Sequence, residues 1–308
     1  MCCDLCLRLS DYNIDNENNI VCGRTMEFAE PLKSKLCVIP RNKHLSSVTP
    51  SCNFEWTSTL GFVGINILDT NIIVDGMNEV GLSCGLLVMD DTKYYPVTGR
   101  SIAISDICSY ILSTCSNVNE AINILSNIDI YGSVIPVINR LLGLHIVVHD
   151  AYGMSIVCQL TDKRNIYYTN GVVTNGPDYP SQLSILNSNN KSFSTWSSVG
   201  RFIKLTELKH LCLPESYDGI GLVQLICHIF NNVDIIRGVS ASTRDHGIIY
   251  SNTQWMIIKD LTEKILYYRS YNNMTLRRLD LNKIDFSSSK LYSEIPIDDM
   301  TPSIIDIN

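Results

Sequence analysis

The chain has 308 residues, with 24 Lys and Arg against 31 Asp and Glu for a net charge of −7, and 45% hydrophobic against 18% charged residues. That composition belongs to a globular chain with ample core material. Its acidity excludes a general nucleic-acid binder, which needs a basic face to displace counterions from phosphate.

Short β-like runs come first in the chain. Residues 34–39 (SKLCVI), 72–75 and 81–88 read as strands separated by turn residues. Helical spacing follows in 102–115 and 118–125, with Asn117 and Glu120 at capping distance for the second. Residues 145–148 and 154–160 form a strand pair around an Asp150-Ala-Tyr-Gly turn, and 166–169 with 171–174 make another. The polar stretch 180–198 reads as a long surface loop. Helices are expected at 201–210 and 221–230, then a three-strand meander at 255–259, 264–270 and 275–281. Strands and helices in separate runs predict an α+β fold, antiparallel sheet covered by helices. No internal repeat, charge block or flexible linker divides the chain.

The twelve cysteines take their meaning from the compartment. The first residues lack the basic start, apolar run and small-residue cleavage site of a secretory signal. No run of about 18 uncharged apolar residues follows, so no membrane span is expected. A cytoplasmic location and free thiols are the expectation. Cys3 and Cys6 form a C-x-x-C, but no second ligand pair follows at metal-site spacing, so no metal is expected. His145 and His149 lie in a strand pattern, and His145 reads as a packed core residue. His228 sits in an apolar helix pattern, and His44, His210 and His246 carry no signal.

Cys2 stands apart because it follows Met1. A small residue there permits removal of Met1, leaving an α-amine and a thiol on one residue. The amine, with an ordinary pKa of about 7.7–8.0, accepts a proton near neutral pH. The thiol, at about 8.5, ionises further beside a cation. Together they are a nucleophile and base that need no histidine.

From Cys2 the chain continues through VCGRTMEF (21–28), LKSKLCVIPRN (32–42), WTSTLGFVGIN (56–66), VDGMNEVGLSCGLL (74–87), VVTNGP (172–177) and TQWMIIKDLTEKILYYRSYNN (253–273). This ordered set resembles the choloylglycine hydrolase family of amino-terminal nucleophile hydrolases, which includes bile salt hydrolases and penicillin V acylases. GRTMEF, IPRN and YYRSYNN are closer to its linear amide hydrolase branch than to the gut bile salt hydrolases. The resemblance implies a four-layer αββα sandwich, a single domain over residues 1–308, and hydrolysis of a non-peptide amide through a thioester on Cys2. It implies no cofactor, a small-molecule acyl amide as partner, and a homotetramer as the common assembly.

Residue by residue, the resemblance makes Cys2 the nucleophile and Arg24 the cation beside it. Glu27 stands where many relatives have an aspartate bonded to the terminal amine. Asn175 matches the oxyanion-binding asparagine. Arg201 matches a second active-site arginine, with Arg237 a competitor for that role. Met26, Phe62 and Val63 are the expected pocket walls. The family's other oxyanion side chain is replaced by Leu87 or Val88, neither of which has a donor. The loop before Arg201 is short, which favours a simple aliphatic or aryl acyl group over a steroid. Two rival functions stay open: a binding protein that has lost turnover, and an acyltransferase that passes the thioester to an amine.

Overall fold

The computed structural model describes residues 2–13, 19–49, 53–96, 100–135, 137–188, 193–244, 247–288 and 294–298. Two antiparallel sheets make its centre. In the first, the strand Cys2–Arg8 lies between Val172–Thr174 and Ile20–Phe28. The sheet continues through Gly247–Asp260, Ile265–Ser270 and Arg277–Asp280, with Ser240–Arg244 hairpinned onto Gly247–Asp260. The second runs Arg164–Tyr168, Ser155–Leu160, Leu144–His149, Ser83–Val88, Ile73–Asn78, Phe62–Asn66, Lys35–Ile39 and Glu294–Pro296.

Among the described residues, five α-helices cover the outer faces. Helices α1 (Ile107–Thr114) and α2 (Val118–Asn127) pack on the second sheet. Helix α3 (Tyr179–Leu186) packs on α4 (Ser198–Leu211), and α4 and α5 (Gly219–Asn231) pack on the first sheet. The layers are helix, sheet, sheet, helix, which is the four-layer arrangement expected from the sequence.

Strand alternation decides what the space between the sheets contains. Cys2 pairs with Met26, Asp4 with Arg24 and Cys6 with Cys22 across the first two strands. The Cys6 N–H turns the other way, to the carbonyl of Gly171 at 2.7 Å, so these are the closely spaced, non-hydrogen-bonded pairs of the ladder. Their side chains face the second sheet, where Asp4 meets His149 and Arg24 meets Asp75. Cys3, Leu5 and Leu7 point the other way, into the layer under α4 and α5.

The apolar pattern of each helix accounts for its seat. Helix α5 buries Leu222, Val223, Leu225, Ile226, Ile229 and Phe230. Its N-terminus is capped by Asp218, whose carboxylate accepts from the Gly221 N–H at 2.7 Å. Asn117 caps α2 as the sequence implies, accepting from the Glu120 N–H at 3.0 Å. Two boundaries differ from the sequence expectation. The helix predicted over 102–115 starts at Ile107, because 101–103 is drawn into a parallel pairing with Asp129–Tyr131. The expected loop 180–198 opens as helix α3, which Asp178 caps by accepting from the Ser181 N–H and which carries Pro180 in its first turn. The eleven described cysteines are free thiols, nine of them buried. Cys52 and His246 lie outside the described residues.

Helix α5 crosses the first sheet at Gly23, where a Cβ would stand 2.7 Å from Phe230 Cε2 and 3.0 Å from Ile226 Cγ2. Gly23→Ala should therefore overpack this contact and cost about 1–3 kcal/mol, read as a lower urea midpoint at unchanged slope. An unchanged midpoint would show that α5 can lift off the sheet freely.

Candidate active site

The Cys2 side chain opens the first strand and is 1% exposed. Arg24 Nη2 donates to its sulfur at 3.2 Å, and Met26 Sδ lies 3.7 Å away. Arg24 is itself fully buried. Its guanidinium bonds the carbonyls of Val74 and Leu86, pairs with Asp75 Oδ2 at 3.2 Å, and lies over the Trp255 ring at 5.6 Å. Asp75 Oδ1 pairs in turn with Lys259 Nζ at 2.5 Å. Burial works against the charge of Arg24, but Cys2 and Asp75 outweigh it and raise its pKa above the ordinary value. Lys259 is likewise held protonated against burial, chiefly by Asp75. Gly85 makes the approach possible, since a Cβ there would stand 2.7 Å from Asp75 Oδ2.

The opposite face of the same strand carries a second cluster. Arg201, from α4, reaches Cys3 Sγ at 2.8 Å and Glu27 Oε2 at 3.1 Å, and Thr253 Oγ1 donates to Glu27 Oε1 at 2.9 Å. The Cys3 thiol is pushed up to about 12, by burial first and against the pull of Arg201, and so stays neutral. Glu27, expected at the Cys2 nitrogen, is held with Arg201 and Thr253 on this helix-side face of the strand. Met26, one residue earlier, is the cross-strand partner of Cys2, so alternation turns Glu27 to the helix side. Arg201 is likewise across the strand from the Cys2 thiol, and approaches Cys2 through Asn175.

Asn175 joins the two faces. Its Oδ1 accepts from the Cys2 N–H at 2.5 Å and from Arg201 Nη2 at 3.1 Å, and two donors on one oxygen fix which way the amide points. Its Nδ2 donates to the Val88 carbonyl at 2.7 Å, and its own carbonyl accepts from Gln182 Nε2 at 2.6 Å. The four bonds tie the end of strand Val172–Thr174 to the first strand, the second sheet and helix α3.

Cys2 lies on the wall of a narrow, partly open cavity. Met26 lines it as the sequence reading expected, and Val88 lines it where a polar side chain was missed. Leu87 turns into the core between the sheets. Phe62 and Val63 do not line this cavity. They stand at the end of their strand away from it, with Phe62 packed among residues of α1 and Val63 buried between the sheets. Arg237 lines a separate groove beside Tyr250 and Tyr271. The sequence reading also missed Asp75, Lys259, Thr253 and the Asp4–His149 pair. VDG and IIKD place Asp75 and Lys259 in strands, but only the facing of the sheets brings them together. Among the described residues no cluster of His, Cys, Asp and Glu is arranged to hold a metal, and no helix is long and apolar enough to cross a membrane.

Two antiparallel sheets packed face to face between helical layers, with a cysteine opening the first strand, define the fold of the amino-terminal nucleophile hydrolases. The chain belongs to the linear amide C-N hydrolases of the choloylglycine hydrolase family, whose family model matches residues 6–294. It is 26% identical to a bile salt hydrolase/transferase of Clostridium perfringens, over 88% of this chain and 92% of that one. It is 23% identical to a penicillin V acylase of Pectobacterium atrosepticum, over 92% of this chain and 82% of that one. A crystal structure of a variant of the conjugated bile acid hydrolase from Clostridium perfringens superposes with a TM-score of 0.81 at 25% identity, covering 99% and 100% of the two chains. Penicillin V acylase from Agrobacterium tumefaciens superposes at 0.77 with 22% identity, covering 92% and 88%. The chain is therefore an amidohydrolase acting on linear amides.

Behind the site, His149 Nε2 lies 2.6 Å from Asp4 Oδ1 and its Nδ1 lies 2.8 Å from Ser155 Oγ, all three buried. Burial alone would keep the ring neutral, but Asp4 and then Cys6 overcome it and lift His149 from 6.5 to about 10. A folded pKa above the unfolded one contributes stability that is complete below about 6.5 and is lost as pH rises through about 10. Urea midpoints should fall more steeply across that range in the native protein than in His149→Gln. Equal slopes would show that the imidazole is uncharged in the fold.

Proposed function

We propose that this amidohydrolase uses Cys2, freed of Met1, as its nucleophile and base, and that residues 1–308 act as one catalytic domain. What supports the reading is a single arrangement: a buried guanidinium 3.2 Å from the Cys2 sulfur, with the Cys2 nitrogen 2.5 Å from Asn175 Oδ1. Arg24 Nη2 donates to the sulfur that attacks. The α-amine, once exposed, donates one N–H to Asn175 Oδ1 and keeps its lone pair for the thiol proton.

In the first half-reaction the sulfur attacks the amide carbon and the carbonyl π-electrons move to oxygen. The C–N bond then breaks, the ammonium of Cys2 protonates the departing amine, and a thioester is left. In the second, the α-amine takes a proton from water as the hydroxyl attacks the thioester. The acid leaves and the thiol re-forms. The Nδ2 group of Asn175 gives one hydrogen to Val88 and has a second for the oxyanion. Val88 provides no side-chain donor, so backbone N–H groups share that task. Arg201 and Glu27 serve by holding Asn175 and the strand in place rather than by touching the thiol.

A second reading is favoured by one observation, the name hydrolase/transferase carried by the Clostridium perfringens relative. In it an amine, rather than water, attacks the same thioester. Adding glycine to a turnover mixture separates the two by the product, free acid or N-acylglycine.

Intact-mass analysis should find the mature chain without Met1, and an acyl adduct on Cys2 after mixing with an activated amide. Cys2→Ala should carry no adduct and no hydrolysis. Asn175→Ala should lower kcat by about 10²–10³-fold. Retention of Met1 in an active enzyme, or hydrolysis that survives in Cys2→Ala, would remove Cys2 from the mechanism.

A further inference from the structure

The cavity beside Cys2 is narrow, and its lining is chemically uniform. One wall comes from the segment after strand Phe62–Asn66, with Ile67, Leu68 and Ile72. The facing wall comes from the segment before strand Leu144–His149, with Ile135, Ile138 and Leu142. Among the described residues Phe28 is its one aromatic ring and Arg24 its one charged group. Arg24 is already committed to Asp75, two carbonyls and the Cys2 sulfur. Two polar side chains that also line it, Ser105 and Ser133, bond each other at 3.1 Å and are half-buried.

We infer that this cavity is the acyl site and that it takes a long, unbranched, saturated acyl chain. The inference rests on Cys2 as the nucleophile and adds the chemical class of the acyl group. A hydroxylated ring system buried here would leave its hydroxyls without partners, a penalty for every unpaired polar group. An aryl acyl group would find a single ring to pack against. A methylene chain needs no partner and bends to follow a narrow aliphatic passage. Each added methylene transfers apolar surface out of water, worth up to roughly fourfold in kcat/KM when it is fully buried.

The test uses N-acetyl-, N-butyryl-, N-octanoyl- and N-dodecanoylglycine, with phenoxyacetylglycine and glycocholate beside them, and the same panel for binding to Cys2→Ala by calorimetry. The expected result is a steady rise in kcat/KM from acetyl to octanoyl, with octanoylglycine well above both ring-bearing substrates. Ile138→Trp, at a half-buried wall position, should reduce dodecanoylglycine turnover at least tenfold more than acetylglycine turnover. A flat chain-length profile, or phenoxyacetylglycine or glycocholate as the better substrate, overturns the inference. In that outcome an acyl adduct on Cys2 from any panel member leaves the nucleophile standing. Tight binding of dodecanoylglycine to Cys2→Ala, together with a native enzyme that never becomes acylated, has the opposite meaning. It keeps the chain site and removes the nucleophile.

Discussion

Everything near Cys2 depends on a carboxylate buried between two sheets. Asp75 stands on the second sheet with no exposure to water, and an uncompensated charge there would cost several kcal/mol. Its two oxygens are met by cations from two neighbouring strands of the first sheet, Arg24 and Lys259. Burial that would otherwise be prohibitive thus fixes how one sheet lies over the other. Arg24 cannot leave Asp75 without stranding it, so the guanidinium is fixed before any substrate arrives. The positive charge beside the sulfur is a by-product of closing the sandwich.

The first strand works as a partition. Its side chains alternate between the inter-sheet space, with Cys2, Asp4 and Cys6, and the helix layer, with Cys3, Leu5 and Leu7. Two arginines approach from opposite sides and contact adjacent cysteines. Arg24 meets a sulfur at the edge of a cavity, and Arg201 meets one sealed beneath α4 whose burial keeps it protonated. Identical side chains one position apart thereby acquire different surroundings. Asn175 is the point where the sides communicate, since it lies beyond the end of its strand and reaches both Cys2 and Arg201.

Much of this was legible in the chain, for particular reasons. An amino-terminal cysteine needs no tertiary context to be noticed, and the ordered motifs GRTMEF, VDGMN and VTNGP carried the fold and several of the residues it gathers around Cys2. The strand and helix runs lay close to where periodicity put them. What sequence could not give was facing. Glu27 and Met26 are neighbours in one motif, and one residue of alternation sends Met26 to the cavity and Glu27 to the helix layer. Phe62 and Val63 carried a family-like motif, but they stand at the end of their strand away from the cavity. The Asp4–His149 pair joins residues 145 positions apart and had no local signal at all.

Two aliphatic walls of the cavity come from a different part of the architecture than the ion cluster. Ile67, Leu68 and Ile72 on one side, and Ile135, Ile138 and Leu142 on the other, belong to connections and short pairings outside the paired core of the large sheets. Arg24, Asp75 and Lys259 belong to the paired strands themselves. Substitutions in the connections can therefore accumulate without disturbing the charges that hold the sandwich together. A lineage built this way is free to vary the shape of the cavity while the buried charges beside it stay under strict physical constraint.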